Sequence, residues 1–182
     1  MAGIQSQLAT GAMEPWGVRV NKAAQQVLFS SKTGNWATPQ EFFDKLDWRF
    51  GPFDLDPCAS PHNTKCANFY TEAENGLSKD WTGHTVFVNP PYGRGIEDWI
   101  RKGYESAEAD NNTKVVMLIP ARTDTRYWHD YVMKAEFVYF IKGRLKFGDS
   151  ENAAPFPSAV VVFRKHPTWA VGAPPVMGAL SR

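Results

Sequence analysis

The sequence predicts one α/β domain: a mostly parallel sheet covered by helices on both faces, with an antiparallel strand at its edge. Three observations carry this expectation. Continuous apolar runs, Val86 to Val88, Val115 to Ile119 and Ala159 to Phe163, read as strands buried on both faces. Helical patterns alternate with the earlier runs, which is the βαβ signature. No helical pattern separates Phe137 to Ile141 from Ala159 to Phe163, so that last pair is expected to run antiparallel at the sheet edge. A chain of 182 residues suffices for one such domain.

Residues 1–35 are polar and without sustained period, with only Val27 to Phe29 as a candidate for local order, and read as a partly disordered arm. Thr38-Pro39-Gln40-Glu41 reads as a helix start: Thr38 as N-cap, Pro39 in the first turn, and Glu41 at capping-box spacing. Phe42, Phe43, Leu46 and Phe50 supply that helix's apolar face. Phe53 to Asp56 is a short strand stopped by Pro57, and Cys66 to Tyr70 a second. His84 to Asn89 is a strand, Glu97 to Ala109 a helix, Val115 to Ile119 a strand ended by Pro120, and Arg126 to Lys134 a helix. The tail, 166–182, carries Pro167, Gly172, Pro174, Pro175 and Gly178 and is expected to lack regular structure.

Hydrophobic residues make up 43% and charged residues 21%, with a net charge of +1, so the molecule as a whole is no polycation. A nucleic-acid partner would require its basic residues on one face. Two cysteines exclude a disulfide framework; no apolar run reaches the length of a membrane span and no leader pattern is evident, so a reducing, cytoplasmic setting is expected. Cys58, His62 and Cys66 are equally spaced but lack a fourth ligand, and no metal is expected.

The most informative segment is Val86-Phe87-Val88-Asn89-Pro90-Pro91-Tyr92. Adjacent prolines remove two backbone donors and fix two φ angles, so a stiff loop presents the Asn89 carboxamide, the Pro90 carbonyl and the Tyr92 ring as one unit. It resembles the Asn-Pro-Pro-Tyr motif of amino-group methyltransferases, DNA adenine methyltransferases in particular. The resemblance implies Asn89, Pro90, Pro91 and Tyr92 as catalytic residues. An adenine amino group is a poor nucleophile because its lone pair is delocalised. Acceptors facing its N–H groups draw it toward tetrahedral geometry, and Tyr92 would stack on the base after it leaves the duplex.

Further resemblance flanks this motif. Asp56 with Pro57, Cys58 and Ala59 stands where such enzymes hold the methionine part of S-adenosylmethionine; a turn cap is the plainer reading of Asp56. Asp54, alternating with it, points to the opposite face. Trp36, Thr38 and Pro39 resemble the segment that closes over the cofactor, and Asn75, Leu77 and Trp81 the loop that meets its adenine ring, with Asn89 also on the cofactor side. Trp36 and Trp81 read equally well as core. Glu72 or Glu74 is a candidate for the ribose hydroxyls, solvated surface being the alternative.

The run Trp36 to Arg164 resembles the phage-encoded adenine-N6 DNA methyltransferases of the phage Dam family. It implies a Rossmann-like, S-adenosylmethionine-dependent fold over residues 36–165, DNA as partner, and a host cytoplasmic setting. Arg94, Arg122, Arg126, Lys142, Arg144 and Lys146 follow strand ends and would make a basic rim for DNA phosphates, a solvated charged loop being the alternative. Phe147 and Pro155-Phe156-Pro157-Ser158 lie near the same strand ends. Two other readings stay open: the same chemistry on RNA adenine, DNA cytosine or protein glutamine, and a catalytically silent nucleic-acid-binding domain.

Overall fold

In the computed structural model, which describes residues 36–148, 152–165 and 172–182, the apolar runs become the inner strands of a seven-stranded sheet. The strands are β1 (Leu55–Asp56), β2 (Asn68–Phe69), β3 (Thr85–Val88), β4 (Lys114–Pro120), β5 (Phe137–Lys142), β6 (Ser158–Arg164) and β7 (Val176–Ser181). The helices are α1 (Gln40–Phe50), α2 (Ile96–Ala109) and the short α3 (Arg126–Asp130), with 3-10 turns at Glu72–Glu74, Gly76–Ser78 and Val132–Lys134. The expected arm, 1–35, lies outside the described residues.

The strand order is β2-β1-β3-β4-β6-β5-β7. All neighbours are parallel except those of β6, which is antiparallel to both β4 and β5. Strand β4 shows why its sequence is apolar throughout. Val115, Met117 and Ile119 face a core with Ile96, Ile100 and Trp128, while Val116 and Leu118 face one with Phe42, Phe43, Leu46 and Phe50. The alternation of a strand thus feeds two cores, one under α2 and one under α1. Helix α2 buries Ile96, Ile100, Gly103 and Ala107, one stripe at helical spacing. Gly103 lets it approach the sheet: a Cβ there would stand 2.9 Å from Met117 Sδ.

Three expectations need correction. The antiparallel strand is not at the edge; β6 sits between β4 and β5, and the edges are β2 and β7. Six consecutive buried residues in β6 require neighbours on both sides as well as cover on both faces. Secondly, the tail is not wholly irregular, since β7 forms from it. Pro174 and Pro175 precede that strand rather than interrupt it, and Gly178 leaves room for the Tyr139 ring, which would lie 2.8 Å from a Cβ. Finally, no capping box opens α1. Pro39 is the cap residue, its carbonyl accepting from Phe42 and Phe43 at 3.1 and 3.0 Å, and Thr38 is turned to another purpose.

Candidate active site

Parallel β1, β3 and β4 end on one edge of the sheet, and the residues that follow them converge there, as expected of an open α/β sheet. A cleft of about 820 Å³ opens between the turn after β1 and the loops after β2 and β3. Pro57, Cys58, Ala59 and Asn75, all singled out from the sequence, line it. Glu72 lines it too, whereas Glu74 is tied to the Thr71 N–H and hydroxyl at 2.9 and 2.8 Å. Of the two acids, geometry leaves Glu72 facing the cleft.

Gly76 brings the floor of this cleft together. A Cβ on Gly76 would stand 1.9 Å from the Pro57 carbonyl oxygen, so only glycine allows the two loops to meet. Trp81 is fully buried and donates from its indole N–H to the Gly76 carbonyl at 2.9 Å, which makes it a support rather than a cofactor platform. Trp99, stacked on Trp81 at 6.1 Å, reaches the cleft instead. Trp99 carried no motif in the sequence. Its one signal was an aromatic residue in the first turn of the helix after the Pro-Pro loop.

Beside the cleft lies a smaller recess lined by Trp36, Thr38, Asp56, Cys58 and Asn89, with Asn63 and Lys65. Pro39 and Leu77 line neither space. Pro39 is used by the start of α1, and Leu77 follows Gly76, which lines the cleft, in a 3-10 helix.

The Asn89 side chain is fixed in one orientation. Its Nδ2 donates to the Trp36 carbonyl and to Thr38 Oγ1, the latter at 2.9 Å. A backbone carbonyl only accepts, so the amide nitrogen must face Trp36 and Oδ1 must point the other way. Asn89 Oδ1 is buried and has no hydrogen-bond partner in the structure. Buried acceptors are normally satisfied, which singles this one out.

Cys58 joins the two spaces. Its Sγ–H donates to the Asn89 carbonyl at 3.2 Å, and its N–H donates to Asp56 at 3.4 Å. Burial, with the Asp56 charge nearby, raises the Cys58 pKa well above the ordinary thiol value, so the thiol stays a donor. Asp56 is itself buried, and its second oxygen accepts from the Lys65 N–H at 3.4 Å. Burial pushes its pKa up to about 6, against the lowering effect of those two N–H groups and the Lys65 charge.

Tyr92 is half-buried. Its hydroxyl donates to the Leu118 carbonyl at 3.2 Å, and its ring meets Phe147 and Phe156 edge-to-face at 6.1 and 5.3 Å. Trp36 meets the same two phenylalanines at 5.5 and 5.6 Å. The aromatic residues near the late strand ends therefore form one wall with the Asn-Pro-Pro-Tyr loop. Pro90 is buried within that loop and Pro91 is exposed, lining the large cleft.

Arg94, Arg122, Lys142, Arg144 and Lys146 are exposed around the same edge. Arg144 folds back toward the Ala154 carbonyl at 3.5 Å. Arg126, also exposed, is paired with Glu97 at 2.7 Å and with Asp130 at 3.8 Å. Asp54 is held by His84 at 2.9 Å and by the Thr85 N–H at 2.8 Å, away from both spaces. Among the described residues, no group of three or more His, Cys, Asp or Glu side chains is placed to hold a metal ion, and no helix is long and apolar enough to cross a membrane.

The sequence is similar to those of known proteins. The family model described as DNA N-6-adenine-methyltransferase (Dam) matches residues 25–168. A DNA N-6-adenine-methyltransferase of Haemophilus phage HP1 is 37% identical over 119 residues, 64% of this chain and 68% of the relative. One of Escherichia phage T1 is 33% identical over 111 residues, 60% of this chain but 45% of that longer relative. With the family match extending over most of the sheet and both spaces at its carboxyl edge, the chain belongs to the DNA N-6-adenine-methyltransferase (Dam) family.

Proposed function

We propose that this chain transfers a methyl group from S-adenosylmethionine to the N6 amino group of an adenine in DNA, with the base extruded from the duplex against the Asn89–Tyr92 loop. The observation that carries this reading is the Asn89 carboxamide oxygen, buried, unpartnered and locked in orientation beside the large cleft.

The residues present fit the cofactor. A cleft of about 820 Å³ is of the size that takes a nucleoside-sized ligand. Glu72 is available to the ribose hydroxyls, Pro57, Ala59 and Trp99 to the flat apolar parts, and the Asp56 carboxylate to the methionine ammonium. When bound, S-adenosylmethionine supplies an electrophilic methyl group on a sulfonium.

The chain's own residues provide positioning and electrostatics. Asn89 Oδ1 accepts one N6–H of the adenine and the Pro90 carbonyl the other, which aims the nitrogen lone pair toward the cleft. As the nitrogen forms its bond to the methyl carbon, the methyl–sulfur bond would break to leave a neutral thioether, and the nitrogen gives up one proton to water, so no strong base is required. Tyr92, anchored through its hydroxyl on Leu118, keeps its ring for the base. A preorganised acceptor of this kind costs no reorganisation at the moment of reaction. The exposed cations around the edge favour a nucleic acid over a protein amide.

The test is incubation of the full chain with S-adenosylmethionine and unmethylated plasmid, followed by modified-base sequencing. Methyl groups on adenine N6 in a recurring context are expected. Methyl groups on cytosine, or binding without transfer on every DNA and RNA offered, would overturn the reading.

A further inference from the structure

The family match ends at residue 168, so β7 and Arg182 lie beyond it. Strand β7 runs parallel to β5 with Lys142 opposite Ser181, so both strands leave the sheet at the carboxyl edge, the edge that carries Asn89. The register sets Ser181 beside Lys142, and the next residue, Arg182, lines the same open cleft as Lys142. The Arg182 guanidinium lies across Gly143, whose φ of +85° turns the chain there; a Cβ at that position would be 3.6 to 3.7 Å from the Arg182 side chain. Its Nη1 also donates to the Arg144 carbonyl at 3.2 Å, which orders the head group. From α1, Lys45 Nζ donates to the Arg182 backbone oxygen at 3.1 Å.

Lys142, Gly143, Ser181 and Arg182 together line an open cleft of about 360 Å³. It contains no acidic residue, and none of the ion pairs among the described residues involves Lys142 or Arg182. Two exposed cations held next to a turn and a serine make a surface suited to a phosphodiester: Arg supplies a planar fork and Lys a point charge.

We propose that Lys142 and Arg182 clamp one backbone phosphate of the DNA outside the target nucleotide. The inference rests on the DNA reading above. Strands β5 and β7 stand three and four ladder steps from β3. At about 4.8 Å per step the clamp is about 14 to 19 Å along the edge from Asn89. That separation corresponds to about four to six base pairs of duplex. The contact gives affinity and register, without sequence information.

The experiment measures DNA affinity by fluorescence anisotropy over a salt series, with duplexes of several sequences. Removing one phosphate contact lowers the slope of log K against log salt by about 0.9. Lys142→Ala combined with Arg182→Ala is expected to show that loss on every duplex, with cofactor affinity by calorimetry unchanged. Lys142→Gln with Arg182→Gln keeps side-chain bulk and reads the same way should the alanine pair unfold. Lys142→Arg with Arg182→Lys should keep the slope. Lys165→Ala removes one charge at the opposite edge, beyond the end of β6, and should leave the slope unchanged. An unchanged slope in a folded double variant, or an equal loss in Lys165→Ala, overturns the clamp. A parent without salt-dependent affinity for DNA overturns both the clamp and the substrate reading.

Discussion

Replacing Asp56 by asparagine should stabilise the fold at alkaline pH while weakening cofactor binding. The residue is 5% exposed, and burial raises its pKa from 3.8 to about 6. Because the folded-state value is the higher, the stability carried by the neutral carboxyl is fully present below about 4 and is lost as pH rises through about 6. At pH 8 the charged form costs about 3 kcal/mol, at about 1.36 kcal/mol per tenfold. Asparagine removes that cost but offers one acceptor where the two Asp56 oxygens take N–H groups from Cys58 and Lys65, each at 3.4 Å. The donor left without a partner costs about 1 kcal/mol. The net gain is about 2 kcal/mol, or roughly 4 to 8 °C in Tm for a chain of this size. Thermal unfolding at pH 8 and at pH 4 reads it: the variant should melt higher at pH 8 and no higher than the parent at pH 4. The same offset at both pH values, or a lower Tm at pH 8, would refute the reasoning. Calorimetry at pH 8 should show weakened S-adenosylmethionine binding, since a neutral amide cannot pair with the methionine ammonium.

Other expected outcomes follow from the same geometry. Tyr92→Phe loses the hydrogen bond to Leu118 and should cost about 1 kcal/mol of stability, with turnover within a few-fold of the parent. Tyr92→Ala should lose roughly five- to 150-fold in transition-state binding, with less extrusion signal from 2-aminopurine at the target; equal loss of rate in both variants at unchanged stability would mean that the hydroxyl acts on substrate. Glu72→Gln should weaken cofactor binding in calorimetry, while Glu74→Gln should leave it intact and disturb only the Thr71 turn. Gly76→Ala forces apart the loops bearing Pro57 and Gly76 and should abolish cofactor binding; an unaffected Kd would show that the contact yields freely.

The sheet was legible because its inner strands are apolar on both faces, and the Asn89–Tyr92 loop because two prolines follow such a strand directly. Strand order was less legible. Ala159 to Phe163 announced a buried strand, yet the absence of a helix before it suggested an edge; burial on both sides was the stronger signal. Strand β7 was hidden by the composition around it: prolines mark only its start, and Gly178 accommodates Tyr139 from 39 residues earlier in the chain. Thr38 fitted a local capping pattern, but its hydroxyl is drawn to Asn89, 51 residues away. Such long-range polar contacts decide a site and leave no periodic trace. Trp99 escaped because ring stacking on Trp81 likewise leaves no periodic trace, whereas Trp81, legible as an aromatic residue near the loop, proved to be its buried support.

The central claim is that Asn89 acts on the base through its carboxamide oxygen. It is tested most directly by the rate at which Asn89→Ala moves labelled methyl from S-adenosylmethionine into N6-methyladenine of DNA, measured on nucleosides after digestion, at saturating cofactor. Loss of a preorganised contact of this kind predicts a fall of about a hundred- to a thousandfold, with the parent's product confined to N6-methyladenine. A variant within a few-fold of the parent would contradict the account and reduce the motif to a turn at the end of β3.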